Sequence, residues 1–539
     1  MKTARVLKND SGIGPRSVKN SNRFQCISRF VFRKEGQHGR SYVNARLLLG
    51  WSIAVLFLFR VFSAWIVELS PQEAYYWNYA MHPAFSYYDH PPIVAWVIRS
   101  GTFLLGNTVL GVRLGGLFLS LGSTWLVYLL GRLWFGRRAG LWAALLFHLI
   151  PLFFLYGLII TPDVPLIFFW LMTLYLISIS LLNDKEWGWY LAGIFFGLSM
   201  LSKYTAAFLI PSTLLFLLVD RRYRHWLWRK GPYAAFLIAF LIFSPVIIWN
   251  YQHNWISFGF QFTERLDENN VDPISGLLEF LGVQIGVLFP TLFAGLLAVL
   301  VISFAQAVKK GESRWKLVLV FSLPMLAFFT YYSTQSLVKP NWVLPGYLSL
   351  LLAVYPCYRH LRFKSARRLK TIGQAVIFVS LYGLPFIFVI SLYYNYAGLP
   401  YVPQNKWVTG WDELSSIVET EKRTFETEAG KPVFLLGMDK YYIASELAFY
   451  TDNVQDTYAR NIIGKRALAY EYWDKADPRG SNALAVHGKI PKLGLLKRYF
   501  TSVDENIKRI PIMRQGRIVR HFYIVKCYGY LNPKFSLTK

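Results

Sequence analysis

Long apolar runs fill the chain from residue 47 to residue 395, and the mixed patterning of a water-exposed domain replaces them from residue 396 onward. Most of these runs approach the ~20 residues that an α-helix needs to cross the hydrocarbon core of a bilayer. The runs are 47–67, 112–131, 139–160, 164–182, 189–202, 205–219, 233–249, 277–305, 317–332, 343–357 and 371–393. The pattern predicts a polytopic α-helical membrane protein with about eleven transmembrane helices.

A different pattern marks the last part of the chain. Three short β-like runs, KPVFLLG, NALAVHG and RHFYIVKCYGY, surround one helical pattern, YIASELAFY. Alternating or continuous apolar runs of this length are typical of strands, whereas an apolar spacing of three to four residues is typical of a helix. We therefore predict a small α/β domain in residues 396–539, after the transmembrane domain 47–395.

One further apolar run, 91–105, decides on which side of the membrane every later loop lies. It has the sequence PPIVAWVIRSGTFLL, which is short for a span and begins with two prolines. These features are typical of a re-entrant or interfacial helix. We predict that residues 91–105 do not cross the membrane.

The distribution of Lys and Arg supports this choice. If 91–105 does not cross, the loops rich in Lys and Arg all face the cytoplasm, as the positive-inside rule requires. The cytoplasmic loops in this arrangement are 1–46, 132–138, 183–188, 220–230, 307–316 and 359–370, and each of them except 183–188 is rich in Lys and Arg. If 91–105 crosses instead, the basic loops from residue 132 onward face outward. The first arrangement predicts a cytoplasmic N-terminal segment 1–46 without a cleavable signal, and a C-terminal domain on the outer side.

Composition changes this picture little. The formal net charge is +28, which in a soluble protein would suggest a nucleic-acid partner, but only 16% of the residues are charged. Because the positive charge lies in short loops between apolar runs, we interpret it as a topology signal and an attraction to anionic lipids.

The three cysteines show no metal-binding spacing. We predict membrane lipids as partners and no nucleic acid. We assign no cofactor, and a divalent metal ion stays open.

Candidate chemistry collects on the outer side in the predicted topology. Carboxylates come from the first outer loop and from the motif TPDVPL, and basic residues come from LSKYTA and KPNW. Each motif alone is also typical of helix ends and interfacial anchors. Together they indicate a site, since a carboxylate can accept the proton of a hydroxyl and cations can neutralise a phosphate leaving group. An apolar interface suits a donor with a lipid tail, so these groups favour glycosyl transfer from a lipid-linked sugar phosphate.

The motifs also resemble a known family. SPQEAYYWNYA, SYYDHPPIVAW and TPDVPLIFFW, in this order, resemble the bacterial GT-C membrane glycosyltransferases, the protein O-mannosyltransferase-like group that includes the lipid A aminoarabinose transferase. The resemblance covers residues 51–205 best. It implies a GT-C fold with interfacial helices in the first outer loop and an inverting transferase that uses a polyprenyl-phosphate sugar. It also implies a bacterial inner-membrane protein whose site and C-terminal domain are periplasmic.

The resemblance assigns site residues by position in this sequence. The family's first-loop acidic pair corresponds to Gln72 and Glu73, so an amide stands where the family usually has Asp, and an amide cannot act as a base. We predict as catalytic residues Glu73, Asp163 and Asp89. We predict as donor-phosphate ligands His90, Lys203 and Lys339. We predict as substrate-binding residues Gln72, Tyr76, Tyr88 and Arg265.

Two alternatives of other classes stay open. One is a non-catalytic membrane protein of the same fold, which Gln72 favours. The other is a flippase or transporter for lipid-linked sugars, which would need ionisable residues deep in the spans, where the sequence shows few. For a transferase, the acceptor is a lipid, a glycan or a protein.

Overall fold

The computed structural model describes residues 39–264, 271–360 and 408–532, except for residues 474 and 515. The chain divides into two compact units, Met1–Gly50 and Trp51–Lys539, and the first is described only from residue 39. The predicted span 371–393 and the predicted substrate-binding residue Arg265 lie outside the described residues.

Helices make up the described part up to residue 360. They are α1 (Gly39–Ile66), α2 (Pro71–Met81), α3 (Ile93–Leu105), α4 (Val109–Phe135), α5 (Arg137–Leu149), α6 (Pro151–Leu158), α7 (Asp163–Asn183), α8 (Trp187–Met200), α9 (Leu209–Val219), α10 (Lys230–Gln252), α11 (Pro273–Leu288), α12 (Pro290–Lys310), α13 (Ser313–Val320), α14 (Leu323–Tyr332) and α15 (Leu344–His360). Short 3₁₀ turns cover Tyr204–Phe208, Arg224–Trp228 and Pro340–Val343. A short helix, Ile256–Gly259, runs into a π-turn, Phe260–Glu264.

Several of these helices fit a membrane. Within the described residues, five helical segments are long and apolar enough to cross a bilayer, or up to seven if each of two bent pairs is one span. The prediction of a helical protein with several apolar spans is confirmed. The prediction of about eleven spans is not confirmed by this number.

Proline breaks several of the predicted spans. The run 277–305 was predicted as one span, but it is two helices, α11 and α12, separated at Phe289, which has a φ of 62°. The run 139–160 likewise divides before Pro151, with a 69° bend between its halves. Proline lacks an N–H donor and disfavours helical backbone in the residue before it, so a continuous apolar run does not guarantee a continuous helix.

The run 91–105 forms the short helix α3. Its thirteen residues extend roughly 20 Å at the rise of an α-helix, less than the ~30 Å thickness of a hydrocarbon core. The helix packs against α2 and α4. Its length agrees with the predicted interfacial position.

The C-terminal region forms the predicted α/β domain. Its helices are α16 (Trp411–Ala429) and α17 (Tyr442–Tyr450), with a short turn of helix at Leu493–Leu496. Its strands are β1 (Val433–Gly437), β2 (Thr457–Ala459), β3 (Asn482–His487), β4 (Phe500–Val503), β5 (Lys508–Arg514) and β6 (Arg517–Tyr530). The order is β2-β1-β3-β6-β4, with β5 also on β6; β1 is parallel to β2 and β3, and the remaining pairs are antiparallel. The predicted boundary at residue 396 lies outside the described residues.

The sheet domain is joined to the segment that follows α1 by polar contacts. The carboxylate of Glu68 accepts hydrogen bonds from the backbone N–H groups of Gly410 (3.1 Å) and Trp411 (2.8 Å), at the N-terminus of α16. The hydroxyl of Tyr450 accepts from the N–H of Leu69 (3.0 Å). Because free N–H groups at a helix N-terminus favour an anion, Glu68 fixes α16 to the end of the first span.

Candidate active site

Helix α2 carries the first-loop motif and begins with a strong capping arrangement. Ser70 precedes Pro71, and the side chains of Ser70 and Glu73 each bond the other residue's backbone N–H. Such a capping box, with proline in the first turn, satisfies N–H groups that the helix itself cannot pair. The sequence SPQE therefore sets where α2 begins and which way Glu73 points.

Glu73 is fully buried and heavily hydrogen-bonded. Its two oxygens accept from Arg113 Nε and Nη2 (2.7 Å each), from the N–H and hydroxyl of Ser70 (3.0 Å each) and from the N–H of Ile160 (3.1 Å). A carboxylate has about four lone-pair sites, so these five donors occupy it completely. This environment does not suit the predicted catalytic base, because no site remains for a substrate proton. Glu73 instead joins α2 to the turn before Asp163.

Arg113, in the first turns of α4, is the partner that sequence reasoning missed. Besides Glu73, its guanidinium donates to the backbone oxygens of Ala64, Val67 and Glu68 at the C-terminal end of α1, at 2.6–3.1 Å. All five N–H donors are therefore used. Its signal was a lone Arg within the apolar run GVRLGG, because a buried ionisable residue in a span requires partners.

Two further ionisable groups lie inside spans, more than the sequence analysis weighed. Arg60 of α1 donates to the hydroxyl of Ser120 at 2.5 Å, and His148 of α5 contacts the hydroxyl of Thr124 at 3.0 Å. Both side chains are at most 1% exposed. Each contact joins the side chain to α4, so these groups pair helices within the bundle.

Asp163 and Lys203 form a buried ion pair. The ammonium of Lys203 lies 2.7 Å from one oxygen of Asp163, and the amide of Asn341 donates to the other oxygen at 2.7 Å. The exposed fractions are 2% for Asp163 and 6% for Lys203. Three segments that are far apart in sequence thus converge on one carboxylate. Asp163 accepts only these two hydrogen bonds within the described residues, so it keeps lone pairs that Glu73 does not.

The KPNW motif contributes through Asn341. Lys339 is exposed and precedes the 3₁₀ turn Pro340–Val343, whereas Asn341 inside the turn reaches Asp163. Within KPNW, the contact with Asp163 therefore comes from the neutral amide of Asn341 and was not predicted from the charge pattern. The predicted role of Lys339 at a donor phosphate stays a prediction.

Asp89 lies beside α2. One of its oxygens accepts hydrogen bonds from the hydroxyls of Tyr75 (2.9 Å) and Tyr79, and its backbone oxygen accepts from the amide of Gln261 (2.7 Å). Both tyrosines are at most 1% exposed. They are therefore not the interfacial anchors that aromatic clusters in such loops usually are.

The remaining first-loop residues surround α2. The ring of His90 contacts the ring of Tyr76 at 5.7 Å between centroids. The hydroxyl of Tyr88 donates to Glu264 at 2.7 Å, and Glu264 is also paired with Arg466 of the C-terminal domain. Tyr88 thus connects three parts of the protein.

Gln72 differs from its neighbours on α2. Its side chain is half-buried, and no hydrogen-bond partner for it occurs among the described residues. The next residue, Glu73, bonds the N–H of Ile160, three residues before Asp163. Gln72 therefore lies on a segment that directly contacts the segment of Asp163, with its amide available to a ligand.

The contact between α17 and α2 contains a buried acid. Glu446 of α17 is fully buried, and its oxygens have no hydrogen-bond partner among the described residues. Burial raises the pKa of Glu446 well above its usual value, and the charges of Glu68 and Glu73 raise this pKa further. Burial thus favours the neutral form of Glu446, whereas the positive charges of Arg113 and Arg520 favour the charged form.

The described residues contain no group of three or more His, Cys, Asp or Glu side chains placed to hold a metal ion. The arrangement around Asp163 offers a carboxylate beside a cation, which suits proton abstraction and phosphate binding.

The chain is similar in sequence to known proteins. A family model described as Dolichyl-phosphate-mannose-protein mannosyltransferase matches residues 89–249. The lipid A galacturonosyltransferase RgtD of Rhizobium johnstonii is 27% identical over 290 residues, 53% of this chain and 60% of that protein. The match thus spans less than two thirds of this relative.

Solved structures extend the likeness to the fold. ArnT from Cupriavidus metallidurans, in its apo state, superposes with a TM-score of 0.61 at 14% identity, covering 89% of this chain and 98% of ArnT. The same protein bound to undecaprenyl phosphate gives a TM-score of 0.60, with 88% and 98% covered. These comparisons confirm the resemblance seen in the motifs: the chain is similar in sequence to the mannosyltransferase family model and to a lipid A galacturonosyltransferase, and it shares the fold of ArnT.

Proposed function

We propose that this protein is an inverting glycosyltransferase that moves a sugar from a polyprenyl-phosphate donor to a lipid, glycan or protein acceptor at the periplasmic face of the bacterial inner membrane. The observation that carries the proposal is the buried Asp163–Lys203 pair, a carboxylate and a cation 2.7 Å apart beside the first-loop helix. Related proteins support the substrate classes, since RgtD is named for lipid A and ArnT was solved with undecaprenyl phosphate.

Asp163 is the proposed general base and Lys203 the proposed phosphate ligand. The acceptor hydroxyl gives its proton to Asp163 while its oxygen bonds the anomeric carbon of the donor sugar. The bond from that carbon to the phosphate oxygen breaks, and the polyprenyl phosphate leaves as an anion. Lys203 neutralises that anion by turning part of its hydrogen bonding from Asp163 to the phosphate, which frees the carboxylate to take the proton.

The other predicted residues receive supporting roles. Asp89 and His90 lie on the same loop and hold or orient substrate groups, and Gln72 donates its amide to a sugar or phosphate oxygen. Glu73 is a positioning residue, because it joins α2 to the turn before Asp163 and has no lone pair left for a proton.

An assay of sugar transfer distinguishes this function from the two alternatives, a non-catalytic protein of the same fold and a flippase for lipid-linked sugars. Purified protein in liposomes with a polyprenyl-phosphate sugar should release polyprenyl phosphate and glycosylate a fraction of the native envelope. Mass spectrometry of lipid and glycan fractions from a deletion strain should show one sugar lost from one acceptor. A non-catalytic relative would show neither, and a flippase would move the donor lipid without consuming it.

Topology gives the first testable prediction. A reporter that works only in the cytoplasm should be active when it is fused at residue 135, 225 or 312, because Lys and Arg collect in the loops around these residues. A reporter that works only outside the cytoplasm should be active when it is fused at residue 450. A cytoplasmic reporter at residue 450 would contradict the proposed orientation, since it requires one more or one fewer crossing.

The second testable prediction concerns the lysines proposed to bind the phosphate of the donor, which is the leaving group. Lys203→Met should weaken binding of a polyprenyl-phosphate sugar by about 1–3 kcal/mol, the usual size of a charge-assisted contact. Lys339→Met should produce a smaller loss, since this side chain is exposed. The matched control is Lys431→Met, which removes one exposed charge from the C-terminal domain and should leave donor affinity unchanged. Unchanged affinity in the Lys203 variant, measured by equilibrium binding in nanodiscs, would exclude it as a phosphate ligand.

A further inference from the structure

A groove of about 320 Å³ lies between helices α7, α8, α9 and α10. Its lining is almost entirely apolar, and much of it comes from Leu209, Leu214 and Leu217 of α9 and from Pro232, Tyr233 and Phe236 of α10. The groove is within the size range of pockets that hold small molecules. Neither Asp163 nor Lys203 lines it, so it is distinct from the buried ion pair of the candidate active site.

Small side chains leave this space open. Gly193 lets α8 approach α10 closely, because a Cβ atom on this glycine would lie 2.5 Å from the backbone oxygen of Ala235. Ala192 and Ala235, beside this approach, both line the groove, and Thr213 lines it on α9. Larger side chains at these three positions would occupy the groove, so its volume follows from the residues that the sequence places there.

The groove opens toward the surface that the bundle presents to lipid. Leu214 is 49% exposed and Phe236 is 54% exposed. Helix α10 is also one of the helices long and apolar enough to cross a bilayer. A polar ligand would lose its hydrogen bonds to water in such a lining without replacing them. The chemistry of the groove therefore suits a hydrocarbon chain.

One end of the groove reaches the basic loop 220–230. Leu217 near the end of α9, Leu227 in the 3₁₀ turn and Tyr233 in the first turn of α10 line the groove there. The hydroxyl of Tyr233 donates to the backbone oxygen of Leu227 at 2.6 Å, which holds the loop against the helix. The loop contains five Lys and Arg residues and one acid, Asp220. An apolar groove thus ends at a surface of positive charge.

Two of the basic side chains keep hydrogen-bonding capacity at this end. Arg224 donates through Nε to the backbone oxygen of Leu218 at 2.8 Å, and its other N–H groups have no partner among the described residues. Lys230, the first residue of α10, is exposed and has no partner in that part of the chain. Arg229 contributes less, because it is paired with Asp184 at 2.6 Å. The positions of Arg224 and Lys230 beside the groove therefore suit an anionic group.

We propose that this groove binds an anionic glycerophospholipid of the membrane, with one hydrocarbon chain in the groove and the phosphate at Arg224 and Lys230. Hydrogen bonds from Arg and Lys to a phosphate are charge-assisted and strong. Basic pockets between transmembrane helices on the cytoplasmic side are typical sites for anionic headgroups, and loop 220–230 is predicted to face that side. The binding does not depend on sugar transfer. It differs from a general attraction to anionic lipids because it is a single site with a defined place for the chain.

Native mass spectrometry of the full-length protein in detergent tests the proposal. With phosphatidylglycerol and phosphatidylcholine of the same chains added in equal amounts, the wild-type protein should retain one phosphatidylglycerol in preference to phosphatidylcholine. Lys230→Gln and Arg224→Gln should each lower the affinity for phosphatidylglycerol on the order of tenfold, the effect of one charge-assisted contact. Thr213→Phe should abolish retention at this site, because the added ring fills the groove.

Each variant has a matched control. Lys309→Gln removes an exposed lysine near the end of α12, in another basic loop, and should leave the affinity unchanged. Ala298→Phe adds a ring at an exposed position of α12 outside the groove, and it should also have no effect. The thermal unfolding midpoint of every variant in the same detergent shows whether a lost lipid reflects a damaged fold. Because Lys230 is exposed and has no partner among the described residues, its variant decides the outcome even if Thr213→Phe is unstable.

Three results would overturn the proposal. Equal retention of the two phospholipids would show that the headgroup charge is not recognised. Wild-type affinity for phosphatidylglycerol in Lys230→Gln and Arg224→Gln would place the phosphate elsewhere. Displacement of phosphatidylglycerol by a polyprenyl phosphate whose own binding is unchanged in Lys230→Gln would assign the groove to the tail of that lipid instead.

Discussion

Replacing Arg113 by Met is expected to lower the free energy of unfolding by about 3–5 kcal/mol, the usual cost of leaving one member of a buried ion pair alone. The substitution leaves the Glu73 carboxylate without its two strongest donors, and it also frees the backbone oxygens of Ala64, Val67 and Glu68. All of these groups are buried or half-buried, so water cannot replace the lost bonds without opening the structure. The measurement is the thermal unfolding midpoint of the purified protein in detergent.

A double variant and a surface variant complete this experiment. Glu73→Met combined with Arg113→Met removes both charges, so it should regain much of the stability lost in Arg113→Met. Arg99→Met changes an exposed arginine on α3 and should alter stability by less than about 0.5 kcal/mol. An Arg113→Met protein that unfolds at the wild-type temperature would show that the Glu73–Arg113 pair does not hold the first loop.

Replacing Asp163 by Asn is expected to lower the rate of sugar transfer ~10²–10⁴-fold, the usual contribution of a general base. The amide keeps the size of the side chain and can still accept a hydrogen bond from Lys203, but it leaves the buried ammonium without its counter-charge, so some stability is lost as well. Glu73→Gln is the matched comparison, because it makes the same chemical change in the carboxylate that lacks a free lone pair. Its activity should fall only as far as its stability falls. The measurement is transfer from a radiolabelled polyprenyl-phosphate sugar in proteoliposomes, together with the unfolding midpoint.

Whether Asp163→Asn changes mainly kcat or mainly KM depends on the chemical type of the acceptor. A hydroxyl acceptor needs a base, so Asp163→Asn should lower kcat. A phosphate acceptor is already an anion, and the same change should then raise KM more than it lowers kcat. Full activity of Asp163→Asn with correct folding would contradict the assignment of Asp163 in either case.

The residues around Asp163 and Glu73 show which contacts of the candidate site could be predicted from the sequence. TPD and LSKYTA were each selected for a charge at a predicted outer helix end, and the structure joins Asp163 to Lys203. In KPNW the contact comes from Asn341, and a neutral amide gives no signal in a charge pattern. Arg113 was visible as a lone charge in an apolar run, but its partner on α2 is forty residues away, and no local rule connects them.

The sequence by itself determined that this is a helical membrane protein with a C-terminal α/β domain, because hydropathy and periodicity act locally along the chain. It also determined the start of α2, since the Ser70–Glu73 capping box lies within four residues. Only the tertiary structure decided the surroundings of the two carboxylates. Glu73 and Asp163 look alike in sequence, but long-range packing gives Glu73 five donors and Asp163 two within the described residues. Which carboxylate keeps a lone pair for substrate therefore depends on which distant segments meet it.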